Sequence, residues 1–320
     1  MVPRWPEDFM HAASADAHSI ASFGWVVLLV FCAAAALVWL LLAWISTRRR
    51  GDFATHAPLD LEDGKEWIVV GGLLVPSVVF AGFFAWMFVP MRAMPMQEPM
   101  SAPEIRIVGR QWWFEAEYLT ERPDLAVVVP TEIHVPTGRP VDIELMTRDV
   151  IHSFWIPKLQ GKVDLVPGVT NHVRLRVDRA GVYEGQCAEF CGVQHAHMRL
   201  EVVAEPPDQY RAWLQKQRTP RPADATTPDV EHGREVFESA ACPLCHTVRG
   251  TLAHGQVGPD LTHVGSRRRI AGGMLENNTA NLAAWVVDAQ ALKPGASMPT
   301  LRQLDGPDLR ALVAYLQSLD

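Results

Sequence analysis

Cys187-Ala188-Glu189-Phe190-Cys191-Gly192-Val193-Gln194-His195-Ala196-His197-Met198 gathers two thiols, an imidazole and a thioether into twelve residues. Soft sulfur and nitrogen donors at this density select copper or zinc over magnesium or calcium. A disulfide between Cys187 and Cys191 is the plain alternative, and an external compartment would permit it. The His and Met that follow argue against it, and a thioether suits copper better than zinc. Upstream, Asp149-Val150-Ile151-His152-Ser153-Phe154-Trp155 offers a further imidazole, His152, on a segment that a separate strand could deliver. Two thiolates, with one His and one terminal donor for each ion, would suit two copper ions bridged by both sulfurs. His197 alternates away from this donor set and reads as a polar neighbour.

Around this stretch, residues 104–204 hold short Val-, Ile- and Trp-rich segments (104–108, 126–129, 141–146 and 172–177) separated by Pro and Gly. Such spacing predicts an antiparallel sandwich or barrel of roughly 100 residues. Toward the N-terminus the chain is different. Residues 20–47 and 67–91 carry no charge, and both runs exceed the roughly 20 residues a bilayer-crossing helix needs. They read as a transmembrane hairpin over 23–91, with a loop over 48–66 and an N-terminal segment over 1–22. Arg48, Arg49, Arg50 and Lys65 in the loop, against Arg4 alone before the first run, put the loop in the cytoplasm and both termini outside. The first run is longer than a signal-peptide core and is expected to stay as an anchor. Cys32 within it reads as a small apolar residue. Neither run contains His, so any haem or copper at membrane depth must belong to a partner.

Toward the C-terminus, 205–229 holds five prolines around a helical stretch at 208–217 and reads as a docked helix followed by a linker. Beyond it Cys242-Pro243-Leu244-Cys245-His246 is a C-x-x-C-H site, whose spacing attaches two thioethers to a haem while the adjacent His reaches the iron. A zinc knuckle would need a second ligand pair, and none follows. Met298, in Ser297-Met298-Pro299, is the expected sixth ligand, with Met274 as the other candidate. Leu309, Leu312, Val313 and Leu316 recur at helical spacing after a cap at Asp305, so a terminal helix is expected to cross an earlier one near 230–239. Arg267, Arg268 and Arg269 form the one basic run of a domain with eight basic and nine acidic residues. They read as a solvated loop, with docking of an electron donor as the functional alternative.

The pattern C-x-E-x-C-G-x-x-H-x-x-M with an upstream His-Ser resembles the binuclear copper (CuA) motif of cytochrome c oxidase subunit II. The resemblance implies a multidomain membrane protein: a two-helix transmembrane hairpin, an all-β cupredoxin-like sandwich over 104–204 and, over 230–320, an all-α class I cytochrome c domain. That fusion is the arrangement of caa-type haem-copper oxidases. It implies that Cys187 and Cys191 bridge the coppers while His152, His195, Met198 and the Glu189 carbonyl complete the shell. The Glu189 carboxylate would ligate magnesium at a subunit interface, with Asp164 aligned to a family acid nearby. Gly109-Arg110-Gln111-Trp112-Trp113-Phe114 resembles the family's aromatic stretch, in which Trp112 would receive electrons above the copper site; Phe114 departs from the usual Trp. Cys242, Cys245, His246 and Met298 would hold haem c, with the Pro259 carbonyl of Gly258-Pro259-Asp260-Leu261 orienting the imidazole. Glu66 resembles an acid at the oxidase's proton channel but is spaced differently and reads as a plain helix-end acid.

The function implied is delivery of electrons from a donor, through covalent haem c and the copper pair, to a catalytic subunit that reduces dioxygen. Partners expected are haem-copper oxidase subunits I and III, an external cytochrome or quinol-cytochrome c reductase as donor, and the lipid bilayer. A bacterial cell membrane is the expected location, with the C-terminal domains on the periplasmic side. A nitric oxide reductase subunit bearing the same copper motif, or a non-enzymatic redox relay, are the competing readings. A net charge of −7, from 29 basic and 36 acidic residues, offers nothing to a nucleic acid.

Overall fold

The computed structural model describes residues 11–48, 64–93, 102–122, 125–219 and 227–320. Arg4, Arg49, Arg50, most of the loop, and Pro220 and Pro222 of the linker lie outside the described residues. The chain divides into two compact units, one of residues 18–97 and one of residues 1–17 with 98–320.

The smaller unit is helical. Helix α1 (Ala15–Thr47) supplies most of it, followed by α2 (Lys65–Val69), a π-helical turn (Val70–Leu74) and α3 (Val75–Ala93). Two helical segments, Ala15–Thr47 and Lys65–Val89, are long and apolar enough to cross a membrane. Leu29, Trp39 and Trp67 stand outward, as suits a lipid-facing surface. Phe23 on α1 meets Trp86 on α3 with ring centroids 5.2 Å apart. Glu66 occupies the first turn of α2.

In the larger unit the middle of the chain is a β-sandwich. One sheet has the order β3 (Val127–Pro130), β2 (Trp113–Tyr118), β1 (Ile105–Arg110), β5 (Pro140–Thr147), β8 (Asn171–Arg176). The other runs β4 (Glu132–Pro136), β10 (Arg199–Glu205), β9 (Gly181–Cys187), β6 (His152–Trp155), β7 (Val163–Leu165). Alternate residues of the two sheets, among them Ile105, Ile107, Ile143, Leu145, Phe154 and Val202, close a fully buried core between them. The sheets are mixed, not purely antiparallel: β1 pairs parallel with β5, and β10 parallel with β4. The cause is a crossing between sheets. Thr131, at φ 75°, turns the chain out of β3 and into β4 in the opposite sheet, beside a strand that runs the same way.

Helix α4 (Pro207–Arg218) then docks on the sandwich, with the Trp213 ring stacked on His134 at 3.8 Å. Residues 11–17 belong to this unit too. The Ala13 N–H donates to the Lys158 carbonyl at 2.8 Å, and Ser14 caps α1 while its hydroxyl donates to the Leu159 carbonyl.

The C-terminal domain is helical: α5 (Pro228–Ser239), α6 (Cys242–Cys245), a two-stranded ribbon β11–β12 (Arg269–Ile270 and Leu275–Glu276), α7 (Thr279–Val287), α8 (Ala289–Leu292) and α9 (Gly306–Ser318). Asp305 caps α9 by accepting from the Asp308 N–H at 2.8 Å. α9 buries Leu312, Val313 and Leu316 and crosses α5 at Gly233, where an added Cβ would come within 1.9 Å of the Ala311 carbonyl oxygen. Only glycine permits so close a crossing. Gly233→Ala is expected to destabilise this domain by about 3 kcal/mol or more, as overpacking of a rigid backbone contact does. Thermal unfolding of the full chain, followed in the C-terminal domain, reads this as a lowered midpoint; an unchanged midpoint would contradict the crossing.

Candidate metal centre and adjoining cavity

Cys187 ends β9 and Met198 precedes β10, so the donor-rich stretch is a loop joining two paired strands. It is shut at its base, where the Cys187 N–H donates to the Met198 carbonyl at 2.9 Å. Shutting the loop turns its donors toward one point. The Cys187 and Cys191 sulfurs stand 3.8 Å apart, unbonded. His152 Nδ1 lies 3.9 Å from Cys187 Sγ, and the Glu189 carbonyl 3.2 Å from it. His195 Nδ1 lies 3.6 Å from Cys191 Sγ, and Met198 Sδ 3.9 Å from it. The six donors singled out in the sequence therefore meet at one place. Two sulfurs at this spacing are within twice a metal–thiolate bond of about 2.3 Å, so both can bind the same ion.

The electrostatics prepare the thiols for a cation. Cys187 is drawn down to about 3, first by its hydrogen bond with Cys191 and against the cost of burial, while Cys191 is pushed upward by the same bond.

His152 is completely buried, with Phe114 packed edge-on to its ring at 6.4 Å. Phe114, where the resemblance anticipates Trp, is a core residue that backs the imidazole. A Cβ on Gly109 would strike the His152 ring at 2.8 Å, so the glycine there makes room for it. His152 Nε2 is 2.7 Å from Asp149 Oδ1. A carboxylate only accepts, so Nε2 carries the proton and Nδ1 keeps its lone pair facing Cys187. Burial works against the charged imidazole, but Asp149 and Cys187 together outweigh it and raise the His152 pKa. Asp149 is fixed in turn by the Gln111 and Val150 N–H groups, each at 2.7 Å. No role for Asp149 emerges from sequence reasoning, although a carboxylate three residues before a candidate ligand was a signal that could have found it.

Trp112 sits on the other side. Its indole N–H donates to the Cys191 carbonyl at 3.0 Å, beside the Gln111 side-chain amide at 2.7 Å. His197 turns to Gln194 at 2.6 Å, away from the sulfurs. The Glu189 carboxylate points outward to Lys162 at 3.0 Å, and the half-buried Asp164 carboxylate lies 3.8 Å from the same ammonium.

Against this face lies a cavity of about 430 Å³. Cys242, Cys245, His246, Pro259 and Met298 line it from the C-terminal domain, with Leu282, Trp285 and Leu316; Trp112, Arg110 and Asp149 line it from the sandwich. Met274 is absent from its wall. His246 Nδ1 is 2.8 Å from the Pro259 carbonyl, which can only accept, so Nε2 keeps its lone pair. Gly258 clears the imidazole: a Cβ there would meet Cε1 at 2.6 Å. The cavity is apolar, of ligand size and equipped with two thiols, an imidazole and a thioether, a donor set that fits a covalently held haem.

The basic run is a correction to the sequence reading. Arg267 is only 9% exposed and donates to the Asp260 carbonyl, while Arg268 and Arg269 reach Glu201 on β10 at 3.1 and 2.8 Å. The run is therefore only in part a solvated loop: Arg267 is buried and Arg269 partly so, while Arg268 keeps more than half of its side chain exposed, the last two answering an acid on the facing strand.

The family description "Cytochrome C oxidase subunit II, periplasmic domain" matches residues 121–205, and "Cytochrome c" matches residues 230–320. The chain is 41% identical over 215 residues to a cytochrome c oxidase subunit 2 of Alkalihalophilus pseudofirmus, covering 67% of this chain and 60% of that one. It is 30% identical to a cytochrome c oxidase subunit 2 of Pneumocystis carinii, covering 47% of this chain and 69% of that one. The periplasmic domain of subunit II of the cytochrome oxidase of Bradyrhizobium japonicum is similar at 23% identity and a TM-score of 0.35, over 38% of this chain and 96% of that one.

Removing the charge of Asp149 while keeping its shape is expected to loosen the imidazole. Asp149→Asn should weaken copper binding about 10- to 100-fold, the usual effect of losing a ligand's outer partner. Titration of the metal-free chain with copper measures this, and an unchanged affinity would remove Asp149 from the site.

Proposed function

Because the chain belongs to the cytochrome c oxidase subunit II family and continues into a cytochrome c domain, we propose that it is the electron-accepting subunit of a caa-type haem-copper oxidase. Electrons would arrive from an external cytochrome or a quinol-cytochrome c reductase, pass by way of covalent haem c and a binuclear CuA pair, and leave for a catalytic subunit that reduces dioxygen. The observation that carries this reading is the convergence of five sulfur and nitrogen donors and one carbonyl oxygen beside a cavity lined by C-x-x-C-H and a methionine. When bound, the copper pair and the haem would supply reversible one-electron chemistry at two neighbouring positions.

The chain's own residues do the rest. Cys187 and Cys191 would hold the coppers, with His152, His195, Met198 and the Glu189 carbonyl as terminal donors. Asp149 holds the imidazole proton of His152 at Nε2, and the buried wall around Phe114 and Phe154 excludes water from the sulfurs. On the other side, Cys242 and Cys245 would bond the haem, His246 and Met298 would ligate its iron, and the Pro259 carbonyl orients the imidazole. Trp112, bonded to the Cys191 carbonyl and lining the cavity wall, spans the two positions.

The outward Glu189 carboxylate, with Asp164 near it, fits a hard cation such as magnesium at a subunit interface, where it would replace Lys162. Two membrane-length helices anchor the chain. The basic residues between them would face the cytoplasm of a bacterial cell, with the sandwich and C-terminal domain on the periplasmic side, against subunits I and III.

Purification of the chain with its native companions, with a reduced-minus-oxidised spectrum and oxygen uptake from an artificial donor, tests the proposal. Haem a together with haem c and cyanide-sensitive oxygen uptake is the expected result. Haem b with nitric oxide consumption, or no haem-bearing companion, would overturn it. Cys187→Ser should abolish the copper-pair optical and EPR signals and leave haem c intact. Met298→Leu should remove the sulfur-to-iron absorption of the oxidised haem; a surviving band would pass the sixth position to another residue.

A further inference from the structure

One buried cation, in the wall of the cavity, is not among the groups assigned to hold either centre. Lys293, five residues before Met298, is 2% exposed. Its Nζ donates to three carbonyls: Ala271 in its own domain at 2.9 Å, and Trp112 and His197 in the sandwich at 2.8 and 3.0 Å. Three acceptors match the three protons of an ammonium. Burial away from water still pulls its pKa down to about 7, so the lysine is costly to place and its location needs a reason.

The acceptors supply one. Trp112 is the residue whose indole bonds the Cys191 carbonyl and whose side chain lines the cavity, and His197 lies between two copper-donor positions. Lys293 thus fastens the methionine-bearing loop to both. Around it the contact is built from backbone. The Arg199 N–H donates to the Gly272 carbonyl at 2.9 Å, and the Gln194 side-chain amide to the Pro294 carbonyl at 2.8 Å. Gly272 and Gly273, both at positive φ, lie so close that a Cβ would come within 2.4 Å of the Trp112 carbonyl or 2.9 Å of Arg199.

We propose that Lys293 is a positioning residue for electron transfer between the two redox centres, locking the C-terminal domain onto the sandwich so that transfer crosses a fixed gap at Trp112 instead of following a swing of the domain on its linker. The proposal rests on the two-centre reading above. In the transfer one electron leaves ferrous haem, oxidising the iron by one unit, and reduces the oxidised copper pair by one unit. No bond is made or broken and no proton moves.

The test uses the intact complex, with haem c reduced by a flash and its reoxidation followed together with copper reduction across a glycerol viscosity series. In the wild type the rate is expected to be independent of viscosity. In Lys293→Met, which keeps length but loses all three bonds, it should fall about tenfold or more, the scale at which misplacement by an ångström acts, and should depend on viscosity. The copper EPR and haem bands should stay as in the wild type. Exchange of the Arg199 amide, which pairs across the contact, should be slow in the wild type and fast in the variant. A viscosity-dependent wild-type rate, or a variant with wild-type rate and exchange, overturns the proposal. Should Lys293→Met fail to accumulate, the wild-type viscosity series and Arg199 exchange decide alone, since a mobile domain would fail both. A wild type without copper EPR or haem c bands sinks the two-centre reading, while Arg199 exchange still reports whether the domain is locked.

Discussion

A single backbone hydrogen bond, from the Cys187 N–H to the Met198 carbonyl, sets the conditions for the metal centre. It makes the ten residues between a closed loop on the ends of β9 and β10, and the pairing of those strands supplies the closure entropy the loop would otherwise cost. Cys187, Cys191 and Met198 then lie in the sandwich's own apolar core. His152 completes the set only because β6 pairs with β9 and brings it alongside Cys187. The site is therefore a property of the sheet, and the loop contributes chemistry to a position the sheet has already fixed.

The same loop has an outer surface, and that surface carries the second constraint. Backbone from Gly192 to Arg199 faces the turns at 272–273 and 294–295 of the C-terminal domain, with spacing that only glycine at positive φ permits. Glu201 is 4% exposed at its side chain and takes an arginine from each of two neighbouring positions. A buried carboxylate deprived of such partners costs several kcal/mol. Arg268 and Arg269 thus pair within the chain itself, at Glu201.

Much of this was legible. The donor spacing and the C-x-x-C-H site pointed to side chains that the fold does bring together, because each chemistry needs particular atoms at particular separations. Asp305 as a helix cap and the crossing of α5 by α9 followed from local rules. What stayed hidden depends on the tertiary meeting of segments distant in sequence. Lys293 is a lone lysine in a turn, and nothing within ten residues indicates that its acceptors lie at Trp112 and His197. The arginine run misled in part for the same reason: three adjacent cations imply solvent, which holds for Arg268 but not for the buried Arg267. The parallel pairings were also invisible, because Thr131 gives no local sign that the chain changes sheet there.

A tether and a lock make different demands on this arrangement. A short tether supplies an effective concentration of roughly millimolar, so a contact with a dissociation constant of about 1 mM would leave the domain docked half of the time. Continuous docking needs a contact about a hundredfold tighter, which is about 2.7 kcal/mol. Truncating a buried, hydrogen-bonded charge at an interface costs about 2–5 kcal/mol, so Lys293 alone is of the size that separates the two regimes. The salt bridges of Arg268 and Arg269, partly open to water, are worth less each and fix register more than strength. In a locked arrangement the linker has no kinetic task once the domain has docked, and its composition is free to vary. The constraint falls instead on the glycines and on Lys293, the positions where the two domains meet closely enough for an error of an ångström to matter.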